Sequence, residues 1–202
     1  MGGARLVPLT NTEPMIVQRG ERSLVRGIRF DVNGLTGASL DFCPVRVESA
    51  PYSAVEFCEF IGAFGAHINL QNAYHFDVHR NRHVGAKTNS LYMTRGNSVD
   101  IWRNYFEATA DSCKDVIFGL QTPSVWIRQN YIAGNAAAPM KANGITLYNP
   151  TPGSPPTFTP WIGYNDIDSI QGHGIKVDGY CHAKVEKNWL STCRVVPGQT
   201  SR

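Results

Sequence analysis

Short stretches of alternating apolar residues run through the chain, and many of them end near an asparagine. One eight-residue frame, which we call the Asn frame, recurs six times: apolar, any, apolar, any, any, Asn, any, apolar or nearly so. Apolar residues at positions i and i+2 predict a strand with one buried face, and the Asn predicts a turn before the next strand. The copies are Ile28–Leu35, Phe76–His83, Val99–Phe106, Val125–Ile132, Pro160–Ile167 and Ala183–Leu190.

The spacing of the Asn frames indicates a solenoid. Successive frame asparagines are 48, 23, 26, 35 and 23 residues apart, and the 48 divides into 27 and 21 if Val55, Phe57 and Phe60 form a further frame. Self-similarity at such a period is typical of stacked coils. We expect the Asn amides of stacked turns to bond to one another as a ladder, and we expect Asn itself to adopt the left-handed backbone conformation.

A second set of apolar pairs lies upstream of the frames and predicts one more strand in each coil. With the two strands on either side of each Asn, every coil then has three short strands. Helical periodicity is absent, which excludes helical repeats. The upstream pairs are Ile68 with Leu70, Leu91 with Met93, Ile145 with Leu147, and Ile175 with Val177.

The segments Gly144–Leu147 and Gly174–Val177, taken with the Asn frames, carry a resemblance to a known family. The chain resembles the right-handed parallel β-helices of the pectin-lyase-like superfamily, which include phage tailspikes and polysaccharide-active proteins. The resemblance implies an all-β, single-stranded right-handed parallel β-helix of about seven or eight coils. It implies little about function, because the superfamily includes lyases, hydrolases, uronate epimerases and non-catalytic proteins.

The length of 202 residues fits a single β-helix domain over residues 1–202. We expect residues 1–23 to form an irregular first coil, residues 24–190 to form regular coils, and residues 191–202 to form a tail. Apolar, strand-like residues begin almost at the start of the chain, so a core surface would be open there. We therefore expect a longer parent protein, a homo-trimer or a capping partner chain.

The bulk properties narrow the classes of partner and cofactor. A net charge of +3 is too small and too evenly spread to favour nucleic acid as the main partner. No apolar run is long enough to span a bilayer, and the start lacks a classical signal peptide. The five cysteines lack C-x-x-C spacing, so we expect reduced thiols, no metal and no cofactor, with a Cys181–Cys193 pair as the open alternative. We expect a virion or extracellular location.

The frame register predicts which side chains point outward and stack from coil to coil. Position i+1 of each frame forms a first outward column, and position i+3 forms a second outward column. The first column is expected to contain Arg29, Glu56, Asp77, Asp100, Trp126, Trp161 and Lys184. The second is expected to contain Asp31, Cys58, His79, Trp102, Arg128, Gly163 and Glu186.

The acids of the first column are the candidate catalytic groups. Carboxylates on adjacent coils raise one another's pKa, and a protonated acid beside an ionised one is the arrangement that glycoside hydrolysis requires. Asp77 and Asp100 would be the acid and the base, with Glu56 as a substitute. His79 could transfer protons. Stacked acids on a solenoid are also often solvated or paired with arginines such as Arg80 and Arg103.

The aromatic residues are the candidate sugar-binding groups. Trp102, Trp126 and Trp161 offer apolar ring faces, Arg128 offers anion recognition, and Tyr92 faces outward on an upstream strand. Exposed tryptophans also pack under loops or against neighbouring subunits, so this assignment has a structural alternative.

These features predict recognition, and a capacity for cleavage, of a polysaccharide in the manner of a tailspike. Two alternatives remain open. The first is a non-catalytic structural, virion or assembly module. The second is a uronate lyase or epimerase that depends on His79, Arg128 and Tyr92.

Overall fold

The chain forms a parallel β-solenoid, seen in a computed structural model that describes residues 4–32, 34–62, 64–108, 113–134, 143–151, 159–180 and 182–193. The described residues contain strands and turns but no helix, and so none that could cross a membrane. Three strands make one coil, and the coils stack into three parallel sheets. The all-β parallel β-helix expected from the sequence is confirmed.

We number the sheets by the order in which the chain enters them in each coil. Sheet 1 contains β2 (Ile16–Gln18), β5 (Val45–Glu48), β8 (Ala66–Gln71), β11 (Asn89–Thr94), β14 (Asp115–Leu120), β17 (Asn143–Tyr148) and β20 (Ile175–Asp178). Sheet 2 contains β3 (Leu24–Arg26), β6 (Ser53–Glu56), β9 (Tyr74–His79), β12 (Asn97–Trp102), β15 (Ser124–Arg128), β18 (Trp161–Gly163) and β21 (Lys184–Glu186). Sheet 3 contains β1 (Arg5–Leu6), β4 (Arg29–Asp31), β7 (Glu59–Ile61), β10 (Arg82–Val84), β13 (Tyr105–Glu107), β16 (Tyr131–Ala133), β19 (Asp166–Asp168) and β22 (Trp189–Ser191).

The solenoid makes about 6 turns, slightly fewer than the seven or eight coils expected. Sheets 1 and 2 each contain seven strands, and seven stacked strands are separated by six steps along the axis. Two strands, β1 and β2, already fall within residues 1–23, where we expected an irregular coil, and they pair with β4 and β5. At the other end, β22 extends to Ser191.

The apolar pairs predicted from the sequence face the core. The four upstream pairs lie on sheet 1, and each is in register with the pair on the neighbouring strand. The frame residues Phe76, Val99 and Val125 and the residues two places after them are fully buried on sheet 2. Because side chains alternate along a strand, the same register sends the residues between them to the outer face.

A ladder of asparagine amides holds the corner between sheets 2 and 3. Asn81, Asn104, Asn130, Asn165 and Asn188 stack one above another, and the first four are buried. Each amide nitrogen donates to the next Asn Oδ1 at 2.9 to 3.1 Å. The same Oδ1 accepts the preceding Asn backbone N–H at 3.0 Å. Each amide nitrogen also donates to a carbonyl of the previous coil, so the polar atoms of this buried corner are satisfied.

The left-handed turn residue is the one before each ladder Asn, and the expectation that Asn itself adopts this conformation is wrong. Arg80, Arg103, Gln129, Tyr164 and Lys187 have φ between 53° and 58°. The Asn side chain bridges two coils with its amide, and this fixes the Asn while the preceding residue reverses the chain. That preceding residue therefore points to solvent beside the ladder.

Cys58 occupies the ladder position in the coil before Asn81. Its backbone N–H donates to Asn81 Oδ1 at 2.9 Å, as each ladder Asn does to the next. Its Sγ lies 3.7 Å from the carbonyl oxygen of Val25, where an amide would make a shorter bond. The frame proposed for this coil, Val55 to Phe60, is thus displaced by two residues. The sequence pattern did not reveal this register, because Cys58 stands at the turn where the other coils have Asn.

The first Asn frame, Ile28–Leu35, is also misplaced. Its strand is β4, which pairs with β7 on sheet 3 with Phe30 opposite Phe60. The strand of this coil on sheet 2 is β3, in which only Val25 is buried. Alternating apolar residues look alike on any of the three sheets, so the pattern alone could not assign the strand. Asn33 lies outside the described residues.

An aromatic stack fills the core beneath sheet 3, and it includes a histidine. His83 lies between Phe60 and Phe106, with ring centroids 4.7 and 4.6 Å apart. A second histidine, His67, stacks on His83 at 5.5 Å and its Nε2 lies 3.1 Å from the Gly62 carbonyl oxygen. Both side chains are fully buried. Burial lowers the pKa of His67 to about 4 and the pKa of His83 well below its usual value.

The ladder predicts a large loss of stability for Asn104→Ala. The change removes the acceptor of the Asn81 N–H and the side-chain donor to the Val78 carbonyl and to Asn130 Oδ1, so we expect the free energy of unfolding to fall by about 3 kcal/mol. Urea unfolding measures this loss. Cys58→Ala is the matched control, since it removes only long sulfur contacts and should cost clearly less. Equal losses for the two variants would contradict a dominant role of the amides.

The buried histidines predict that acid destabilises the fold. Their native pKa values lie below the value of about 6.5 in the unfolded chain, so the unfolded state binds more protons as the pH falls below 6.5. Between pH 7 and pH 5 we expect the free energy of unfolding to decrease by roughly 2 kcal/mol for each histidine. His83→Phe should remove about half of the combined decrease that the two histidines cause. Urea unfolding at both pH values measures this change. His182→Gln, at an exposed position, should leave it unchanged.

Candidate functional site

The outer face of sheet 2 brings most of the predicted site residues together. Asp77 is in register with Asp100, Asp100 with Trp126, and Trp126 with Trp161. The second outward column runs beside it, with His79 next to Trp102 and Trp102 next to Arg128. The two columns therefore form one continuous polar and aromatic surface, which we call the sheet 2 face.

Four predicted members of the columns lie in other positions than expected. Glu56 is in register with His79, in the second column, and Ala54 takes the place opposite Asp77. The expectation that Glu56 extends the acids of the first column is therefore wrong, because the frame of this coil was displaced by two residues. Arg29 and Asp31 lie on sheet 3, for the reason given for β4. Cys58 belongs to the ladder and is buried.

The two acids of the first column have different environments. Arg128 forms a bidentate ion pair with Asp100, with Nε to Oδ1 at 3.1 Å and Nη2 to Oδ2 at 2.6 Å. The carboxylate of Asp77 forms no hydrogen bond or ion pair within the described residues. Desolvation and the negative charge of Asp100 raise the pKa of Asp77. One acid is thus bound by a guanidinium, and the pKa of its neighbour is raised.

His79 links the acids of the face to its aromatic part. Its Nε2 donates to Glu56 Oε2 at 2.9 Å, which assigns the proton of the neutral ring to Nε2. Desolvation lowers the pKa of His79 despite the Glu56 charge. The imidazole stacks on the Trp102 indole with centroids 4.5 Å apart. A neutral His79 is therefore fixed in place, and one side of Trp102 is already occupied.

Trp126 and Trp161 are the indoles best placed to receive a ligand. Trp126 is 38% exposed. Trp161 lies across Gly163, where an added Cβ would sit 3.0 Å from its ring, so any larger residue there would push the indole away from the sheet. Its Nε1 donates to Glu186 Oε1 at 3.0 Å, which fixes the ring orientation. Glu186 also pairs with Lys184 at 2.8 Å.

Tyr92 is separate from this group. It lies on sheet 1 and stacks on Phe118 with centroids 5.4 Å apart, and desolvation raises the pKa of its hydroxyl. Near it, Asp115 accepts hydrogen bonds from Asn143 and Thr146 at 2.7 and 2.6 Å in a cleft of about 260 Å³. A site that needs Tyr92 together with His79 and Arg128 would have to span two sheets.

Three guanidiniums surround Trp102, and the sequence pattern gave two of them no functional role. Arg80, Arg103 and Arg128 each place their guanidinium carbon 5.3 Å from the Trp102 ring centroid. Arg80 and Arg103 are the left-handed residues directly before Asn81 and Asn104. The sequence contains a signal for this arrangement. Arg80 and Arg103 each directly precede a frame Asn, so they occupy the same turn in consecutive coils.

Metal chemistry has no support in the described part of the chain. None of its His, Cys, Asp and Glu side chains form a cluster of three or more suited to a metal ion. The described cysteines, Cys43, Cys58, Cys113 and Cys193, have free thiols. Burial raises the pKa of Cys43 and Cys113 to about 12, so these thiols are poor nucleophiles. Cys181 lies outside the described residues.

Comparison with protein-family models, with curated proteins and with solved structures finds no match for this chain.

The charge of Asp100 predicts a measurable shift in its neighbour. In Asp100→Asn the pKa of Asp77 should move down toward its ordinary value, because the variant removes a like charge and frees Arg128 to attract Asp77. Carboxyl carbon chemical shifts followed by NMR titration measure the change. Asp166→Asn, on sheet 3, is the control and should leave Asp77 unaffected. An unchanged pKa in Asp100→Asn would show that desolvation alone sets it.

Proposed function

We propose that this protein recognises a polysaccharide along the sheet 2 face, and that Asp77 and Asp100 enable it to cleave the bound chain. The observation that carries the proposal is the pair of neighbouring indoles, Trp126 and Trp161, in line with the two acids on one column. Strands in a sheet are about 4.8 Å apart, so the column offers regularly spaced contacts to an extended polymer.

The indoles supply apolar platforms of the kind that pack on sugar rings. Trp161 is held by Gly163 beneath it and by the hydrogen bond to Glu186, so little conformational freedom is lost when a ligand binds. Trp126 is exposed on the next strand. Trp102 has a different role, because His79 and the arginines already pack against it.

The acids supply the groups that glycoside hydrolysis needs. Asp77, with its raised pKa, is suited to protonate the leaving oxygen. Asp100, which forms a bidentate ion pair with Arg128, is suited to act as the base or the nucleophile. His79 donates a hydrogen bond to Glu56 and stacks on Trp102, so it would hold the Trp102 side of the site in place.

The fold and the resemblance to pectin-lyase-like β-helices support the same reading, with a tailspike as the nearest functional type and a virion or extracellular setting. The uronate lyase or epimerase alternative has less support, because Tyr92 lies on sheet 1, away from His79 and Arg128.

A second candidate, a non-catalytic assembly module, is favoured by a different observation. In the last described coil Val185, Trp189 and Leu190 are 48%, 70% and 50% exposed. Exposed apolar side chains of this size mark surfaces that another chain covers. A trimer or a capping partner would bury them without any sugar chemistry on the sheet 2 face.

The proposal predicts that Trp126→Ala and Trp161→Ala each weaken polysaccharide binding about tenfold, because each removes one ring platform. Isothermal titration against a panel of neutral and acidic polysaccharides measures the change. Trp189→Ala is the matched control, since this exposed indole lies on sheet 3 and should not affect binding.

Cleavage of the same polysaccharides is measured by the release of reducing ends. Asp77→Asn should abolish release and leave binding within a few-fold of the wild type. A stable oligomer that binds no polysaccharide in the panel would contradict the proposal and favour the assembly module.

A further inference from the structure

A groove of about 600 Å³ runs along the corner between sheets 2 and 3, outside the Asn ladder. We call it the corner groove. Arg80 and Arg103 line it from consecutive coils, and Tyr105 and Tyr131 line it from sheet 3. The two tyrosine rings stack with centroids 5.2 Å apart. The corner groove is adjacent to the sheet 2 face, because Arg80 and Arg103, which line the groove, pack against Trp102 of that face.

The corner groove carries uncompensated positive charge. Three guanidiniums crowd around the Trp102 ring, yet only Arg128 has a carboxylate partner there, Asp100. Within the described residues, Arg80 forms no ion pair, and Arg103 donates only to the neutral Gln129 Oε1 at 3.1 Å. Guanidiniums that pack against the same indole repel one another, and an anion bound between them would relieve the repulsion.

The acid that lines the groove does not supply that anion. Glu59 pairs with Arg82 at 2.8 Å and with Arg29 at 3.5 Å, both on sheet 3. The indole and the Phe57 ring hold the Arg80 guanidinium by cation–π contacts at 5.3 and 5.2 Å. The guanidinium is thus oriented before any ligand arrives, which lowers the entropic cost of binding.

The geometry points to an oxyanion-binding site in the corner groove, in which Arg80 and Arg103 take a carboxylate or sulfate substituent of the polysaccharide that lies on the sheet 2 face. Guanidiniums bind both oxyanions through paired N–H donors, and planar recognition of this kind is the reason arginine is used for it. This inference rests on the proposed function for the identity of the polymer, but the anion site itself does not need Trp126 or Trp161.

A glycan polymer fits the site better than a nucleic acid does. Binding to a phosphate backbone draws on many basic contacts along its length. Here the guanidiniums of the groove that form no ion pair with any described residue are confined to two turns, and the net charge of the chain is only +3. Two guanidiniums beside an aromatic face match a sugar that carries one anionic substituent.

The test uses four polymers, three of which share one backbone: dextran, dextran sulfate, carboxymethyl dextran and duplex DNA. The double variant Arg80→Gln/Arg103→Gln should weaken binding of the preferred anionic dextran at least tenfold. The matched control is Arg95→Gln, because Arg95 is also an exposed left-handed turn residue, with φ of 53°, but lies at the corner between sheets 1 and 2. It should change binding by less than twofold. Whichever of the two anionic dextrans binds more tightly identifies the substituent.

The outcomes separate this inference from the proposed function. Equal affinity of the double variant, Arg95→Gln and the wild type for the anionic dextrans would overturn the anion site. If Trp126→Ala still weakened polysaccharide binding, the proposed function would stand without it. Tighter binding of DNA than of either anionic dextran, with the same dependence on Arg80 and Arg103, would overturn the glycan assignment.

Inorganic sulfate tests the groove without any polymer. Sulfate at constant ionic strength should raise the thermal midpoint of the wild type and of Arg95→Gln more than that of the double variant. The same rise in all three proteins would contradict a specific site. A selective rise, combined with no polysaccharide binding at all, would leave the anion site in place and remove the proposed function.

Discussion

The hydrogen bond between the side-chain amides of consecutive coils is the interaction on which the rest of this structure depends. A parallel coil must reverse direction at a buried corner, and the backbone groups there have no strand partner within their own coil. The amides of Asn81 to Asn188 satisfy them by bonding to the coil above and the coil below. Because each bond is made only in one register, the ladder fixes which residues of sheets 2 and 3 stack.

The functional surface follows from that register. With the ladder in place, Asp77 must lie beside Asp100, and the residue before each Asn must point outward next to the second column. The acids, the indoles and the unpaired arginines are thereby set on one side of a rigid rod. A site of this kind needs no loop to position it, because each side chain lies on a strand or turn of fixed geometry.

Much of the fold could be predicted from the sequence because the ladder has a sequence signature. Asn81, Asn104, Asn130 and Asn165 are followed two residues later by a buried residue, and the register of four coils followed from them. The prediction failed where the signature was missing. Cys58 replaces Asn, so Glu56 was placed in the wrong column, and the alternation around Phe30 did not reveal that its strand belongs to sheet 3. The pairing of Asp100 with Arg128 and the crowding of arginines around Trp102 depend on side-chain conformations, which no spacing rule contains.

The ladder also separates the length of the chain from the length of the rod. Asn104 and Asn130 are 26 residues apart, and Asn130 and Asn165 are 35 residues apart. The hydrogen bond between the side-chain amides is nevertheless 3.0 Å long in both steps. Residues added between two rungs therefore leave the axial rise unchanged. For protein engineering, this makes the interval between Asn130 and Asn165 a natural place to graft a foreign peptide. For evolution, it means that surface specificity can diversify through insertions while the scaffold keeps its register.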